Sequence, residues 1–307
     1  MSTVDLSQLP QPAIIETPDF EVILAEIKQF MISKFPEELR PAVTAALEME
    51  SEPLNIIAQA FAWRELLLRQ RINDGSAACM LSHATLSDLD NIAANLNTRR
   101  LVIVPETDTT TAVMESDTAL RLRAQAAFDG LSVAGPAGAY EYFARSADGR
   151  VADAKAVSPS PATVVVSILS TEGDGTATPE LLATVTDALS AEDRRPVGDR
   201  LTVQSAEIVR YSINATLFFY PGPEAEPIQS AAREALHNWL SSSGKIGRDV
   251  ARSAIMAALH VQGVQRVVLT EPATDIVISD TQAAACTAVT VTKGGTDEYQ
   301  SASTVCQ

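Results

Sequence analysis

Apolar residues recur at helical spacing through the first half of the chain, and strand-like runs alternate with helices in the second. Phe20, Leu24, Ile27 and Met31 share one face behind Asp19, the spacing of an amphipathic helix. Pro36 stops that segment, and a weaker helical pattern covers residues 37–50. Ser51 and Pro53 then open a stronger helix over residues 53–73, with proline in the first turn where its missing N–H costs nothing. Leu54, Ile57, Phe61 and Leu68 line one side of it, but Ile56, Trp63 and Leu67 line another. A helix apolar on nearly all sides is usually buried or sandwiched between partners. Asn73-Asp74-Gly75 is expected to close it. Shorter helices are predicted over about 77–83 and 87–96, the second with Ser87 to Asp90 resembling a capping arrangement. Residues 100–104 are strand-like, 105–114 form a Thr-rich loop, and Ser116 caps a helix ending at Asp129-Gly130. Leu120, Ala124, Ala127 and Phe128 are its expected inward positions.

The pattern changes between Ala134 and Ser170. Gly135 to Gly138 opens a short amphipathic segment carrying Ala137, Tyr140, Phe143, Ala144 and Ala147, which Asp148-Gly149 breaks. Two strand-like runs follow, Val151–Val157 and Thr163–Leu169, joined by Ser-Pro-Ser-Pro. The prolines remove two backbone donors, so the runs cannot be one continuous strand. An acidic Gly loop (172–175), a helix over 179–191 and a strand over 200–208 come next. A second strand covers 209–220 and is ended by Pro221-Gly222-Pro223. Helices over 225–240 and 248–260, a strand over 264–270, a strand over 288–292 and a polar tail complete the chain.

These elements define an α+β chain: a mainly helical N-terminal half followed by mixed α/β, sandwich-like units in the C-terminal half. The expected parts are an extended arm (1–18), a mainly helical domain (19–147), a β-α-β domain (148–208) and a β-α-α-β domain with a tail (209–307). The similar order of the last two is a weak hint of a duplicated unit.

Composition narrows the function classes. Hydrophobic residues make up 46% and charged residues 20% of the 307, ordinary for a globular chain. The net charge of −16 repels nucleic-acid backbones and anionic membranes, so neither is expected as a partner. Cys79, Cys286 and Cys306 are few and irregularly spaced, which fits a reducing compartment and excludes a disulfide scaffold. The first residues have neither the apolar core nor the basic flank of a signal peptide, and no apolar run is long enough to span a bilayer.

A search for chemistry finds no site. His83, His237 and His260 lack companions at metal-ligand spacing. The Gly-Lys at 244–245 lacks the remainder of a phosphate-binding loop, and the glycines at 135–138 follow a helix instead of a strand, unlike a dinucleotide fingerprint. No nucleophile setting and no calcium ladder occurs. No cofactor, metal or enzymatic activity is therefore expected. A well-patterned chain of this kind, with an extended arm and a helix apolar on several faces, points to surfaces that bind other proteins. Trp63, with Arg64, Arg69 and Arg71 on the same helix, is the candidate interface, since Trp and Arg dominate interface energetics. The competing reading of Trp63 is plain core. Glu65 lies four residues before Arg69 and can pair with it.

Taken in order, the segments resemble a known family. They are LPQPAIIETPDFEVILAEIK, ESEPLNIIAQAFAWRELLLRQRIND, LSDLDNIAANL, ESDTALRLRAQAAF, GPAGAYEYFARSAD, VADAKAVSPSPATVVVSILS, SAEDRRPVGDRLTVQSAE and GRDVARSAIMAALHVQGVQRVVL. Together they resemble the baseplate J-like family of contractile-tailed phages and related injection systems, over about residues 8–272. Two departures stand out: Ser160-Pro161-Ala162 replaces a common Pro-Gly turn, and Asp74-Gly75-Ser76 replaces an Ala-Ala pair.

The resemblance implies a structural wedge component of the tail baseplate. Such a protein joins copies of itself, as a dimer building a sixfold ring, and other wedge proteins. Those include a tail-fibre-connecting wedge protein and a small sheath-initiating one. The expected location is the virion, after synthesis and assembly in the host cytoplasm. The ring rearranges when contraction is triggered, which requires a bistable assembly. The expected hinge lies at Gly135-Pro136 and Asp148-Gly149. The alternative is a tail-assembly adaptor or chaperone that leaves before the particle matures.

Overall fold

The computed structural model describes residues 4–6, 9, 10, 12–107, 109–132, 135–192, 194–220 and 225–294. Parts of the expected arm, the Pro221-Gly222-Pro223 break and the polar tail beyond Gly294 lie outside the described residues. The chain divides into two compact units, one of residues 1–99 and 116–124, the other of residues 100–115 and 125–307.

The first unit is helical. It contains α1 (Phe20–Lys34), α2 (Arg40–Glu48), α3 (Pro53–Ala78), α4 (Leu86–Asn95) and most of α5 (Asp117–Ala126). Asp19 caps α1 as expected, its carboxylate accepting from the N–H groups of Glu21 (2.8 Å) and Val22 (3.1 Å). Ile23, Leu24 and Leu47 bury against Ala58 and Ala62 of α3. The alanines let the helices approach closely. A second small core joins Leu89 and Ala93 of α4 to Leu120 and Ala124 of α5.

Several local expectations fail here. The long helix does not stop at Asn73-Asp74-Gly75 but continues to Ala78. An exposed glycine costs a helix only about 1 kcal/mol relative to alanine, and Ser76 and Gln70 add side-chain bonds on either side. Asn73, read as a breaker, is buried and binds Glu16 at two points: its amide donates to the Glu16 carbonyl (2.8 Å) and accepts from the Glu16 N–H (3.1 Å). The predicted helix over 77–83 is instead the end of α3 followed by isolated turns, and α4 begins at Leu86. Its start is not capped by the Ser87–Asp90 pair. The Leu86 N–H donates to the Asp117 carboxylate of α5 (3.0 Å), a long-range cap that local spacing does not reveal. Phe128 is exposed, because α5 ends at Ala126 and the helical period no longer applies beyond it.

In the second unit, β1 (Val102–Val104), within the expected strand-like residues 100–104, pairs antiparallel with β2 (Val113–Met114), which lies at the end of the expected loop. Next come α6 (Ala137–Ala147) and the antiparallel hairpin of β3 (Val151–Ser160) and β4 (Thr163–Ser170). β3 continues through Pro159, and only Pro161-Ala162 turns, with Ala162 at φ 59°. Proline is tolerated there because β3 is an edge strand. After β4, α7 (Pro179–Leu189) crosses over to β5 (Arg200–Ser205), which runs parallel to β4. Tyr140 and Ala144 of α6 and Leu181, Val185 and Leu189 of α7 cover this sheet.

Ala206 carries the chain from that sheet to the next. The thirteen-residue β6 (Glu207–Phe219) therefore starts before the expected 209. Its inward residues Ile213, Ala215 and Leu217 pack under α8 (Ala225–Ser243) and α9 (Arg252–Leu259). The serines expected in a loop end α8, while Ile246 and Val250 form isolated bridges where the first turn of α9 was expected. That start is held from outside: the Arg252 N–H donates to Asp275 (2.7 Å), and Asp249 accepts from the Ile278 N–H (2.7 Å). β7 (Val264–Glu271) pairs antiparallel with β6, and β8 (Gln282–Lys293) pairs parallel with it. β8 is more than twice the expected length because pairing along β6 recruits the Ala-rich residues 283–285, which lack strand propensity of their own.

The expected fold class holds: a helical first half and a mixed α/β second half. Both three-stranded sheets have a central strand with one parallel and one antiparallel neighbour. Their chain orders differ, β-β-α-β against β-α-α-β-β, so the topology is not a simple duplication.

Candidate protein–protein interface

α3 uses small residues to face its own core and large ones to face outward. Asn55, Ala58, Ala62 and Asn73 are buried. Phe61 and Leu68 are 62% and 60% exposed, and Ile56, Ile57, Leu67 and Ile72 are exposed as well. Phe61, Leu68 and Ile72 meet Ile27, Phe30 and Met31 of α1 across a shallow groove of about 710 Å³. Arg64, Glu65 and Arg69 line it with them.

Arg69 is fixed by carboxylates. Its Nη2 and Nε donate to Glu65 Oε1 at 2.6 and 3.0 Å, and Glu16 and Glu26 lie at 3.6 and 3.8 Å. The bond from Glu65, above all, holds the guanidinium pKa above its ordinary value. The guanidinium is thus satisfied within the chain, and Arg69 serves as a fixed, already paired border of the groove.

The four sequence-selected interface residues do not converge on one point. Arg64 and Arg69 border the groove. Trp63 lies outside it, 55% exposed and edge-on to Phe20 with ring centroids 6.3 Å apart. Arg71 is exposed and also lies outside the groove lining. Sequence reasoning missed Phe30, which sits beside Ile27 and Met31 on the expected inward stripe of α1. An aromatic residue next to that stripe was the available signal.

The four hinge candidates are closely packed. Gly135 has φ 71°, and a Cβ there would come within 2.7 Å of Pro196 Cγ. Pro136 occupies the N-cap position of α6, and one turn on the Tyr140 hydroxyl donates to Asp199 Oδ2 (2.8 Å). Burial, with that bond second, raises the Tyr140 pKa. Asp148 ends α6 and accepts from Arg150 Nη2 (2.8 Å), which lowers its pKa. A Cβ on Gly149 would sit 2.7 Å from the Val102 carbonyl oxygen.

Among the described residues no group of His, Cys, Asp and Glu could hold a metal ion, and no helix is long and apolar enough to cross a membrane.

An apolar groove with a fixed arginine on its border is the kind of surface that protein partners cover. Comparison with known proteins shows the family. Three domain profiles match the chain: the Baseplate J-like N-terminal domain at residues 50–107, the Baseplate J-like central domain at 132–205 and the Baseplate J-like protein C-terminal domain at 211–292. Baseplate protein J of Escherichia phage P2 is 55% identical over 302 residues, covering 97% of this chain and 100% of that protein. The chain belongs to the baseplate J-like family. A chain in the sixfold-symmetrised cryo-EM structure of the anti-feeding prophage baseplate aligns with a TM-score of 0.41 at 14% identity, over 58% of this chain and 43% of that one.

Proposed function

We propose that this chain is a structural wedge component of a phage baseplate, joining copies of itself and other wedge proteins into the ring around the tail hub that links host attachment to sheath contraction. One observation carries the reading: the 55% identity with a phage baseplate protein J over the whole of that protein. The groove between α1 and α3 supports a docking role, with Trp63, Arg64, Arg69 and Arg71 on or beside the contact. A tail-fibre-connecting wedge protein and a small sheath-initiating one are the expected partners, and the virion is the expected location. The work is mechanical, with no turnover.

The four-part division of the chain belongs to the same proposal. The gap between the matched central and C-terminal domains, from residue 205 to 211, supports a boundary near the proposed 208, and the start of β6 at Glu207 moves it to Ala206. The hinge at Gly135-Pro136 and Asp148-Gly149 is part of it too. Movement there has to release the Tyr140–Asp199 and Asp148–Arg150 bonds, so an unchanged angle across residues 135–150 in two assembled states rules it out. The reading as a whole is tested by co-expressing the chain with its neighbouring tail proteins. A stable complex that enters particles is expected. Absence of the chain from finished particles by mass spectrometry overturns the wedge role.

A further inference from the structure

The sheet β3-β4-β5 and the sheet β7-β6-β8 both lie in the second compact unit, and the chain crosses between them once. The crossing has no linker. β5 ends at Ser205, β6 begins at Glu207, and Ala206 between them is 3% exposed. Domains that reorient are usually joined by exposed, flexible segments. Ala206 is instead pinned: its N–H donates to the Ile168 carbonyl of β4 (2.8 Å), and the Glu207 N–H donates to the Thr281 carbonyl just before β8 (3.1 Å).

A single covalent crossing after β5 would still allow bending and twisting about it. Contacts from the other two strands of the first sheet remove that freedom. From β3, Asp153 Oδ2 accepts from the Ile246 N–H (3.0 Å), and Lys155 Nζ lies 4.0 Å from Asp280. Ile246 is itself bridged to Ala283 of β8, so the Asp153 bond ties an outer strand of one sheet to an outer strand of the other. From β4, Leu169 buries with Ile246, Ala206 and Ala283 in a small apolar core on which Ile208 of β6 packs. The loop after β4 carries Asp174, which pairs with Arg210 of β6. Gly175 lets this loop come close: at φ 97°, a Cβ there would sit 2.7 Å from Leu169 Cδ1 and 3.4 Å from Ile208 Cδ1.

These contacts differ in weight. The Lys155–Asp280 and Arg210–Asp174 pairs are exposed and contribute little energy. The bond from Ile246 to Asp153 is charge-assisted and partly buried. Losing its acceptor leaves a backbone donor without its partner at a residue that is 5% exposed. We propose that Asp153 and Ile246 clasp the two sheets into one rigid block, so that the middle and C-terminal domains turn together and movement within the chain is confined to the segments before β3. The proposed hinge over residues 135–149 lies on that side. The clasp is a property of the chain by itself and does not rest on the wedge reading.

The test measures how the two sheets are held in the full chain. With Cys79, Cys286 and Cys306 replaced by serine, nitroxide labels are attached to D187C on α7 and E234C on α8, both exposed positions. Pulsed electron spin resonance then reads the distance between them, and one narrow distribution is expected. Asp153→Ala with Ile246→Ala is expected to widen it about twofold while circular dichroism stays native, as for domains joined by a small interface. Asp153→Ala alone, which keeps the apolar core intact, is expected to speed hydrogen exchange at the Ile246 amide about tenfold. A broad distribution in the labelled chain without further changes, a narrow one that persists in the double variant, or unchanged Ile246 exchange each overturns the clasp. None of these results touches the wedge reading, since the measurements need no baseplate partner.

Discussion

α3 and β6 are the longest helix and strand of their units, and they treat their large side chains in opposite ways. β6 turns Ile213, Leu217 and Phe219 inward beneath α8 and α9 and exposes mainly polar positions. α3 turns Ala58 and Ala62 inward and leaves Phe61, Trp63 and Leu68 in solvent. The β6 core serves the unit's own stability. The apolar surface of α3 adds little to stability in the isolated chain and so is available to a partner. The ring proposed above, which must hold and yet re-pair, calls for that separation, since surfaces that break during rearrangement cannot be those that keep each unit folded.

The sharpest way to break this comparison is by substitution on each side. Leu217→Ala, at a fully buried position, is expected to cost about 2–5 kcal/mol in urea unfolding. A cost near zero would mean that the β6 core is not the stabilising one. Gly135→Ala introduces a Cβ at φ 71° and against Pro196, and its expected cost is about 1–3 kcal/mol. A neutral result would show that the junction before α6 gives way easily, which would favour it as the moving part.

A pH scan probes the β6 side without large structural change. Burial, then the neighbouring Cys286, pushes the Tyr211 pKa up to about 12. Between the ordinary tyrosine value of about 10 and that raised one, the unfolded chain has lost the proton and the folded chain keeps it. Stability is therefore expected to fall as pH rises across that window, and the slope should be shallower in Tyr211→Phe. An unchanged slope would place the loss elsewhere. Least is expected on the exposed side. Phe61→Ser with Leu68→Ser should shift unfolding by only about 0.5 kcal/mol, while removing the chain from complexes with other baseplate proteins. Normal assembly of that double variant would take the groove out of the interface.

Part of the candidate site is legible in the amino-acid sequence. The excess of apolar residues around α3 announces a surface needing cover, and the Glu65–Arg69 spacing announces their bond. Which residues form the groove is not legible, because it is made by two helices. Phe30 becomes part of a site only where α1 lies beside α3. Asn73 misleads for the same reason: a residue that breaks helices locally is retained in one when the Glu16 backbone supplies both partners for its amide.

The sequence alone determined what rests on local periodicity and on the order of its segments: the helical first half, the alternating second half, the absence of a recognisable catalytic motif, and the resemblance to the baseplate J-like family. Tertiary structure decided what depends on neighbours distant in the chain. It extended β8 along β6, supplied the starts of α4 and α9 with carboxylates from elsewhere, and brought Asp153 of one sheet onto the Ile246 N–H beside the other. Backbone groups must find partners wherever the fold provides them, and one strand's pattern says nothing about which strand, helix or second molecule will lie beside it.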